Sequence, residues 1–420
     1  WMKSLLVIAV LIGIGLVWQF GGTLSYHQGL GAGHSKAGSA RAHHLAAARA
    51  AEGHAGWLSN ELRSVERDVQ RSAAVHASEL GRIAGISHEQ KRPSSLLAVG
   101  ASHSQCAHRR PYHVILPATS QRYQEWQTRI HYYHYLKQRR ENPCSDLGDF
   151  TRLLSSPDAL NDTLAKEIPT YPVKQLRSGR CDECDHGFVV LNRPYGLKQF
   201  VLSQRFREIR EQFLFIVEPD HLLLRPPANV ASVEKPVGFG FYYMTYKYDT
   251  RKLRPVVAKY HDPDKVDPVG PSPLIIAKEQ FGSLVEPWFN LCLELKRDRE
   301  ADEAFGWVLE MWAWTLAAAR AGVRHQVHTT FQAEAGGLGI RNLGDYDIFH
   351  YTFDMHDNGG WSWSKRHFSS SYPPRLTSPE PSKIIGTSTL TFVHMMNEAI
   401  DTFPDWSKAS DATWRRRLFK

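Results

Sequence analysis

The residues best placed to do chemistry are Glu218-Pro219-Asp220-His221, which follow directly on the apolar run Phe213-Leu-Phe-Ile-Val217. Such a run reads as a parallel strand buried on both faces. Two carboxylates one residue apart at its mouth aim oxygen ligands at one place, and oxygen ligands suit a hard divalent cation such as magnesium or manganese. A cation held there can neutralise a diphosphate leaving group. Acidic triplets also arise in ordinary solvated turns. The position at the end of a buried strand, where sites gather, favours the metal reading and makes Asp220 and Glu218 candidate ligands.

His350, in Asp347-Ile-Phe-His350-Tyr-Thr, is a further candidate ligand delivered by a short apolar segment. A lone histidine in that setting is more often a core residue. Glu310 stands inside the apolar, aromatic stretch Phe305-Gly-Trp-Val-Leu-Glu-Met-Trp-Ala-Trp314, where a carboxylate needs a partner or a ligand. Two readings stay open. It pairs with an arginine such as Arg320 or Arg324, or it lies in a sugar pocket, bonding hydroxyls or stabilising positive charge at an anomeric carbon. Asp298, Glu300, Asp302 and Glu303 just before it fit the first turn of a helix. Asp267-Pro-Val-Gly270-Pro-Ser272-Pro-Leu-Ile-Ile276 reads as a rigid turn that closes in a strand, either an ordinary loop or a lining for an acceptor channel. Gly270, Ser272 and Trp307 are the candidate acceptor contacts. Tyr242, Tyr243, Tyr246 and Tyr248 form either core or an aromatic wall suited to an extended proline-type peptide.

These residues need a frame. Pro111 to Pro117 reads as a strand that breaks at Ala118-Thr119-Ser120, and helical spacing follows through Trp126, Ile130, Tyr133 and Leu136. A second unit has a strand at Phe188 to Leu191, then Asn192-Arg193, then Pro194 as a first helical residue and a helix to about Phe200. With the strand ending at Val217, the alternation predicts an α/β domain, a mixed, mostly parallel central sheet flanked by helices. Ligands then sit beyond the carboxyl ends of the strands. Neither a P-loop nor a strand-linked G-x-G-x-x-G is present, which argues against those nucleotide chemistries.

The chain has 420 residues, enough for one large domain with appendages. Its net charge of +8 is scattered among 43 acidic residues, so no nucleic-acid partner is expected. The stretch from Ser4 to Phe20 carries no charge, is preceded by Lys3 and ends without a small-x-small cleavage site. It reads as a membrane anchor, residues 1–20, rather than a cleaved leader. Residues 21–105, rich in Ala, Gly, Ser and His, read as a stem. Within it Leu58, Leu62, Val65 and Val69 suit a short amphipathic helix through which two copies could associate. A catalytic domain at 106–406 and a basic tail at 407–420 complete the division. Cys181-x-x-Cys184 beside His186 is half a zinc site without a second half, so a disulfide is the better reading, with the pairing of the five cysteines left open. Asn161-Asp-Thr163 is an N-glycosylation sequon.

Six segments, taken in order, resemble the hydroxyproline O-arabinosyltransferases of plants and green algae. They are Trp126-Gln-Thr-Arg129, Gly148-Asp-Phe-Thr-Arg-Leu-Leu154, Val189-Val-Leu-Asn-Arg-Pro194, Glu218-Pro-Asp-His221, Asp267-Pro-Val-Gly-Pro-Ser-Pro273 and Phe305-Gly-Trp-Val-Leu-Glu-Met311. The resemblance implies a GT-A type fold, a UDP-β-L-arabinofuranose donor and a divalent metal, manganese first (Mn2+). It further implies retaining transfer to the 4-hydroxyl of hydroxyproline in cell-wall glycoproteins or peptides, and type II topology in the Golgi membrane. By the same resemblance Asp220 is the principal metal ligand with Glu218 nearby, and His350 is a late-sequence ligand. Thr119, Asn192 and Arg193 lie near the nucleotide, and Glu310 faces the donor sugar. The stretch from Arg177 to Asp185 and the stem fall outside the resemblance. A peptidyl serine galactosyltransferase and a membrane-tethered binding protein without turnover are the alternatives.

Overall fold

Tyr112–Thr119, an almost wholly buried run, forms β1 and feeds through a tight turn into α1, Arg122–Glu141, as the spacing predicts. The structure is a computed structural model that describes residues 106, 108–181, 184–334, 343–352, 354–356, 360–379, 388–408 and 414. The expected anchor and stem lie outside the described residues. Among the described residues no helix is long and apolar enough to cross a membrane.

After α1 come β2 (Leu147–Ser156), β3 (Thr170–Lys174), α2 (Asn192–Val201), the short α3 (Gln204–Arg207) and β4 (Phe213–Ile216). Then follow β5 (His221–Leu223), β6 (Val237–Gly240), α4 (Thr250–Tyr260) and β7 (Val269–Ala277). Three helices succeed one another as α5 (Lys278–Arg297), α6 (Arg299–Phe305) and α7 (Leu309–Arg320), and β8 (Gln326–His328), β9 (Gln332–Glu334) and β10 (Ile348–His350) follow. The pair β11 (Met355–His356) and β12 (Ser362–Trp363) precedes α8 (Ser388–Thr402). The main sheet runs β3-β2-β1-β4-β7-β6-β8. Its neighbours are parallel except where β7 meets β4 and β6, so the expected mixed, mostly parallel sheet is observed. A second sheet, β5-β10-β9, lies at the end of β4 in the chain and carries the site.

Three sequence expectations change. Phe188 to Leu191 is no strand: Val189–Leu191 is one 3-10 turn leading straight into α2, with Leu191 N–H donating to the Phe188 carbonyl. A four-residue apolar run carries too little periodicity to tell strand from turn. Next, Gly270 to Pro273 is not a turn but part of β7, buried throughout. The ladder from β7 to β6 jumps from Leu274 to Val269, so Pro271 and Pro273 fall where no ladder bond is required of them. The Ser272-Pro273 bond is cis. Finally Trp414, within the expected tail, is fully buried, its ring 4.6 Å from Phe403 and 6.4 Å from Tyr132. The folded part therefore reaches at least that residue.

The core is built on large aromatics, with Trp126, Trp288, Trp312 and Trp314 fully buried. Burying an aromatic side chain contributes on the order of 2 to 3 kcal/mol, so the Trp-rich α5–α7 layer is a main source of stability. Disulfides join Cys106 to Cys144 and Cys181 to Cys184, and Cys292 is a buried thiol.

Candidate metal and donor site

Beyond the end of β4 the chain turns through Glu218-Pro219-Asp220 and returns as β5. Strand pairing then decides what meets what. β10 lies between β5 and β9, with His350 opposite both His221 and Glu334. Register alone thus sets three titratable side chains abreast, and the amide of Tyr351 donates to the Asp220 carbonyl at 3.3 Å. From the other side, His131 of α1 donates its Nδ1 proton to the His221 carbonyl at 2.8 Å, holding the turn in place.

Glu218, Asp220, His221 and His350 bring one ligand atom each within 4.8 Å of the others. Three of the four can serve a cation. The Glu218 amide donates to His221 Nδ1 at 3.3 Å. A neutral imidazole that accepts at Nδ1 carries its proton on Nε2, so His221 has no lone pair left to give. Burial and the neighbouring His350 hold His221 well below its usual pKa, which keeps it in that neutral form. Two carboxylates and one imidazole remain.

Their electrostatics are strongly biased. Burial pushes the Asp220 carboxyl up, but Lys365 and His350 outweigh it and hold Asp220 well below the usual carboxylate range. The Lys365 ammonium makes a buried ion pair with Asp220 Oδ2. His350 Nε2 lies 3.2 Å from the same oxygen, close enough for an ion pair but not aligned as a hydrogen bond, and both its ring nitrogens lack a hydrogen-bond partner. On the opposite flank Arg193, the second residue of α2, reaches Glu218 at 3.2 Å and Glu310 Oε1 at 3.7 Å. Burial raises Glu310 to about 7, against the lowering pull of Arg193. Glu310 Oε1 is buried without a hydrogen bond. Its backbone is fixed by Trp288, whose indole N–H donates to the Glu310 carbonyl at 2.9 Å.

Glu310 pairs with neither Arg320 nor Arg324, which bind Glu294 and Asp267 instead. Glu310 is the second residue of α7 and Arg320 the last, a separation of about 15 Å along a helix. Other expected site residues make their bonds within the fold. Asn192, next to Arg193, accepts from Leu176 N–H at 2.8 Å and donates to the Val189 carbonyl at 3.0 Å, which ties the start of α2 to the preceding loop. Thr119 ends β1, its amide bonded to Gln124 Oε1 at 2.5 Å. Gly270 and Ser272 are enclosed in β7: a Cβ at Gly270 would lie 2.8 Å from Met311 Cε, and the Ser272 hydroxyl donates to the Ile216 carbonyl at 3.4 Å. Their burial differs from the expected channel lining. Trp307 is 72% exposed, and Tyr242 and Tyr248 are 71% and 59% exposed.

Sequence reasoning missed Lys365. It lies 145 residues from Asp220 in the chain, and the basic run Lys365-Arg-His367 offers no pattern that ties it to an acidic turn.

The description "Hydroxyproline O-arabinosyltransferase family N-terminal domain" matches residues 112–327, and its C-terminal counterpart matches residues 347–407. Hydroxyproline O-arabinosyltransferase 3 of Arabidopsis thaliana is 38% identical over 312 residues, covering 70% of this chain and 82% of that protein. Hydroxyproline O-arabinosyltransferase RDN2 of Medicago truncatula is 38% identical over 307 residues, again 70% and 82%. A more distant similarity, 23% over 271 residues, links 61% of this chain to 31% of the peptidyl serine alpha-galactosyltransferase of Arabidopsis thaliana.

Proposed function

Because this chain belongs to the hydroxyproline O-arabinosyltransferase family, we propose that it transfers L-arabinofuranose from UDP-β-L-arabinofuranose to the 4-hydroxyl of hydroxyproline. The acceptor is a protein or peptide, the anomeric configuration is retained, and a divalent cation, manganese first, assists. The observation that carries the site reading is the buried cluster in which Glu310 Oε1 and both nitrogens of His350 lack hydrogen bonds. A buried polar atom without a partner needs an ordered water, an ion or a ligand, and here such atoms gather beside carboxylates and an imidazole. Asp220, Glu218 and His350 form a donor set of oxygen and imidazole that fits such a cation and would hold it. When bound, the cation neutralises the charge that builds on a departing diphosphate.

The chain's own groups account for the rest. Arg193 already spans two carboxylates, and its planar fork of donors is the group suited to phosphate oxygens. Glu310, with a pKa near 7, is part protonated at neutral pH, so it can donate to or accept from a sugar hydroxyl. The hydroxyproline oxygen attacks the anomeric carbon from the face the diphosphate leaves; the new C–O bond forms as the old one breaks, and the acceptor proton passes to a diphosphate oxygen. No side chain is assigned as general base. The exposed Trp307, Tyr242 and Tyr248 offer aromatic surface for a proline-type peptide.

The same reading gives a GT-A type domain, lumenal in the Golgi, behind a single N-terminal span. The uncharged run from Ser4 to Phe20 supports it, as do two disulfides, which persist in oxidising compartments. Glycosidase-sensitive mass at the exposed Asn161 is the expected result, and expression of a cytosol-facing domain would contradict it. For the activity, mass spectrometry of a hydroxyproline peptide incubated with the protein, manganese and a panel of UDP sugars should show a gain of one pentose. A hexose gained on a serine peptide from UDP-galactose would instead favour the activity named for the more distant relative.

A further inference from the structure

The ion pair between Lys365 and Asp220 is an odd feature for a metal site. Both residues are more than nine-tenths buried, and the carboxylate oxygen that takes the Lys365 ammonium, Oδ2, also has His350 Nε2 3.2 Å away. Lys365 comes from a separate part of the chain. It opens a 3-10 turn, Lys365–Phe368, whose start is fixed by Ser364: the Ser364 hydroxyl accepts from the Arg366 amide at 3.3 Å and donates to Asp354 at 2.5 Å. The backbone is thus anchored while the four-carbon stem leads inward. The ammonium also lies 5.7 Å from the centre of the Tyr351 ring.

A divalent cation on Asp220 would face this ammonium at contact distance in a buried setting, where like charges repel strongly. One of the two must yield. The cation is needed when a diphosphate is present, and a diphosphate brings negative charge of its own. A lysine on a flexible stem with three donors can follow that charge. Resting on the metal and donor reading above, we propose that Lys365 is the exchangeable cation of this site. It neutralises Asp220 in the empty protein, and it moves to a phosphate oxygen of the nucleoside diphosphate when a metal ion takes Asp220. The two ligands are then coupled through one side chain, since each makes room or charge for the other. A lysine serving only packing would stay on Asp220 throughout.

Calorimetric titration with manganese, with and without UDP, tests this on the wild-type protein and on Lys365→Met. In the variant, manganese without nucleotide should bind about tenfold or more tightly than in wild type, and the gain in manganese affinity on adding UDP should shrink by about tenfold. Equal or weaker manganese binding in a folded Lys365→Met protein overturns the proposal. Should methionine prevent folding, Lys365→Gln removes the charge while keeping a hydrogen bond to Asp220. Wild-type crystals grown with manganese and UDP give an independent answer: the ammonium should lie on a phosphate oxygen, and one still paired with Asp220 beside a bound ion contradicts the exchange. Failure of wild type to bind manganese even with UDP would sink the metal-site reading itself, a separate outcome from an unchanged variant.

Discussion

Two buried charge clusters in this chain differ in one respect. Around Arg129 every demand is met. Its guanidinium forms a two-pronged pair with Glu167, at 2.9 and 3.0 Å, donates to the Trp406 carbonyl at 2.7 Å and lies 4.1 Å over the Phe403 ring. Both side chains are fully buried. Around Asp220, by contrast, positive and negative groups are just as buried, yet Glu310 Oε1 and the nitrogens of His350 and His221 Nε2 are left without hydrogen bonds. A saturated cluster ties elements together, here α1, the loop at Glu167 and the segment at Trp406. An unsaturated one keeps bonding capacity in reserve, at a cost in stability, for something that arrives later.

The largest expected effect sharpens that contrast. Asp220→Ala should lower arabinosyl transfer per folded molecule by about 10²–10³-fold or more, the scale of losing a main electrostatic contact, and, because it leaves the Lys365 ammonium buried and unpaired, it should lower the melting temperature as well. Arg129→Met should lower stability alone. Leaving Glu167 buried and unpaired should cost about 3 to 5 kcal/mol in denaturant unfolding, while activity per folded molecule stays at the wild-type level. Loss of activity without loss of stability in the Arg129 variant would break the comparison.

Glu310→Gln should reduce turnover by about 10²-fold, since hydrogen bonds to donor hydroxyls strengthen in the transition state, and it carries a pH signature. Glu310 has a folded pKa of about 7 against an ordinary value of 4.5. Its protonated form is favoured in the folded state, so the stability it contributes is present below about 4.5 and lost as pH rises through about 7. The wild type should therefore lose stability relative to Glu310→Gln across that window in matched thermal melts; parallel curves would contradict the assignment. A smaller effect of opposite sign belongs to Glu211. Burial alone would raise its carboxyl, but His113 and the Asp149 amide outweigh it and lower it to about 2. Its contribution should be present above about 4.5 and lost as pH falls toward 2. Glu211→Gln should flatten the acid limb of unfolding without touching activity at neutral pH.

How much of this was legible in the sequence depends on length of pattern. The β1-α1 unit and β4 were readable because long apolar runs and a helix of several turns carry periodicity. Glu218 and Asp220 were readable because they end such a run. The second sheet was not: β5, β9 and β10 have three residues each, too few for alternation to show. Yet its register is what sets His221, His350 and Glu334 side by side. Glu310 stood out as a charge in an apolar stretch, but its partner Arg193 came from another helix rather than from its own. Gly270 and Ser272 looked like loop residues because prolines usually exclude a central strand, and only the ladder jump between β6 and β7 explains their place. Lys365 had no local signal at all.

If the unsaturated cluster is a ligand site, Asp220 organises a cation and a nucleotide there. Electron paramagnetic resonance titration of manganese in the presence of UDP tests it directly, comparing wild type, Arg129→Met and Asp220→Ala. One tightly held ion per chain is expected in the first two, and binding about 100-fold weaker in the third. The same stoichiometry and affinity in Asp220→Ala would show that Asp220 holds no cation.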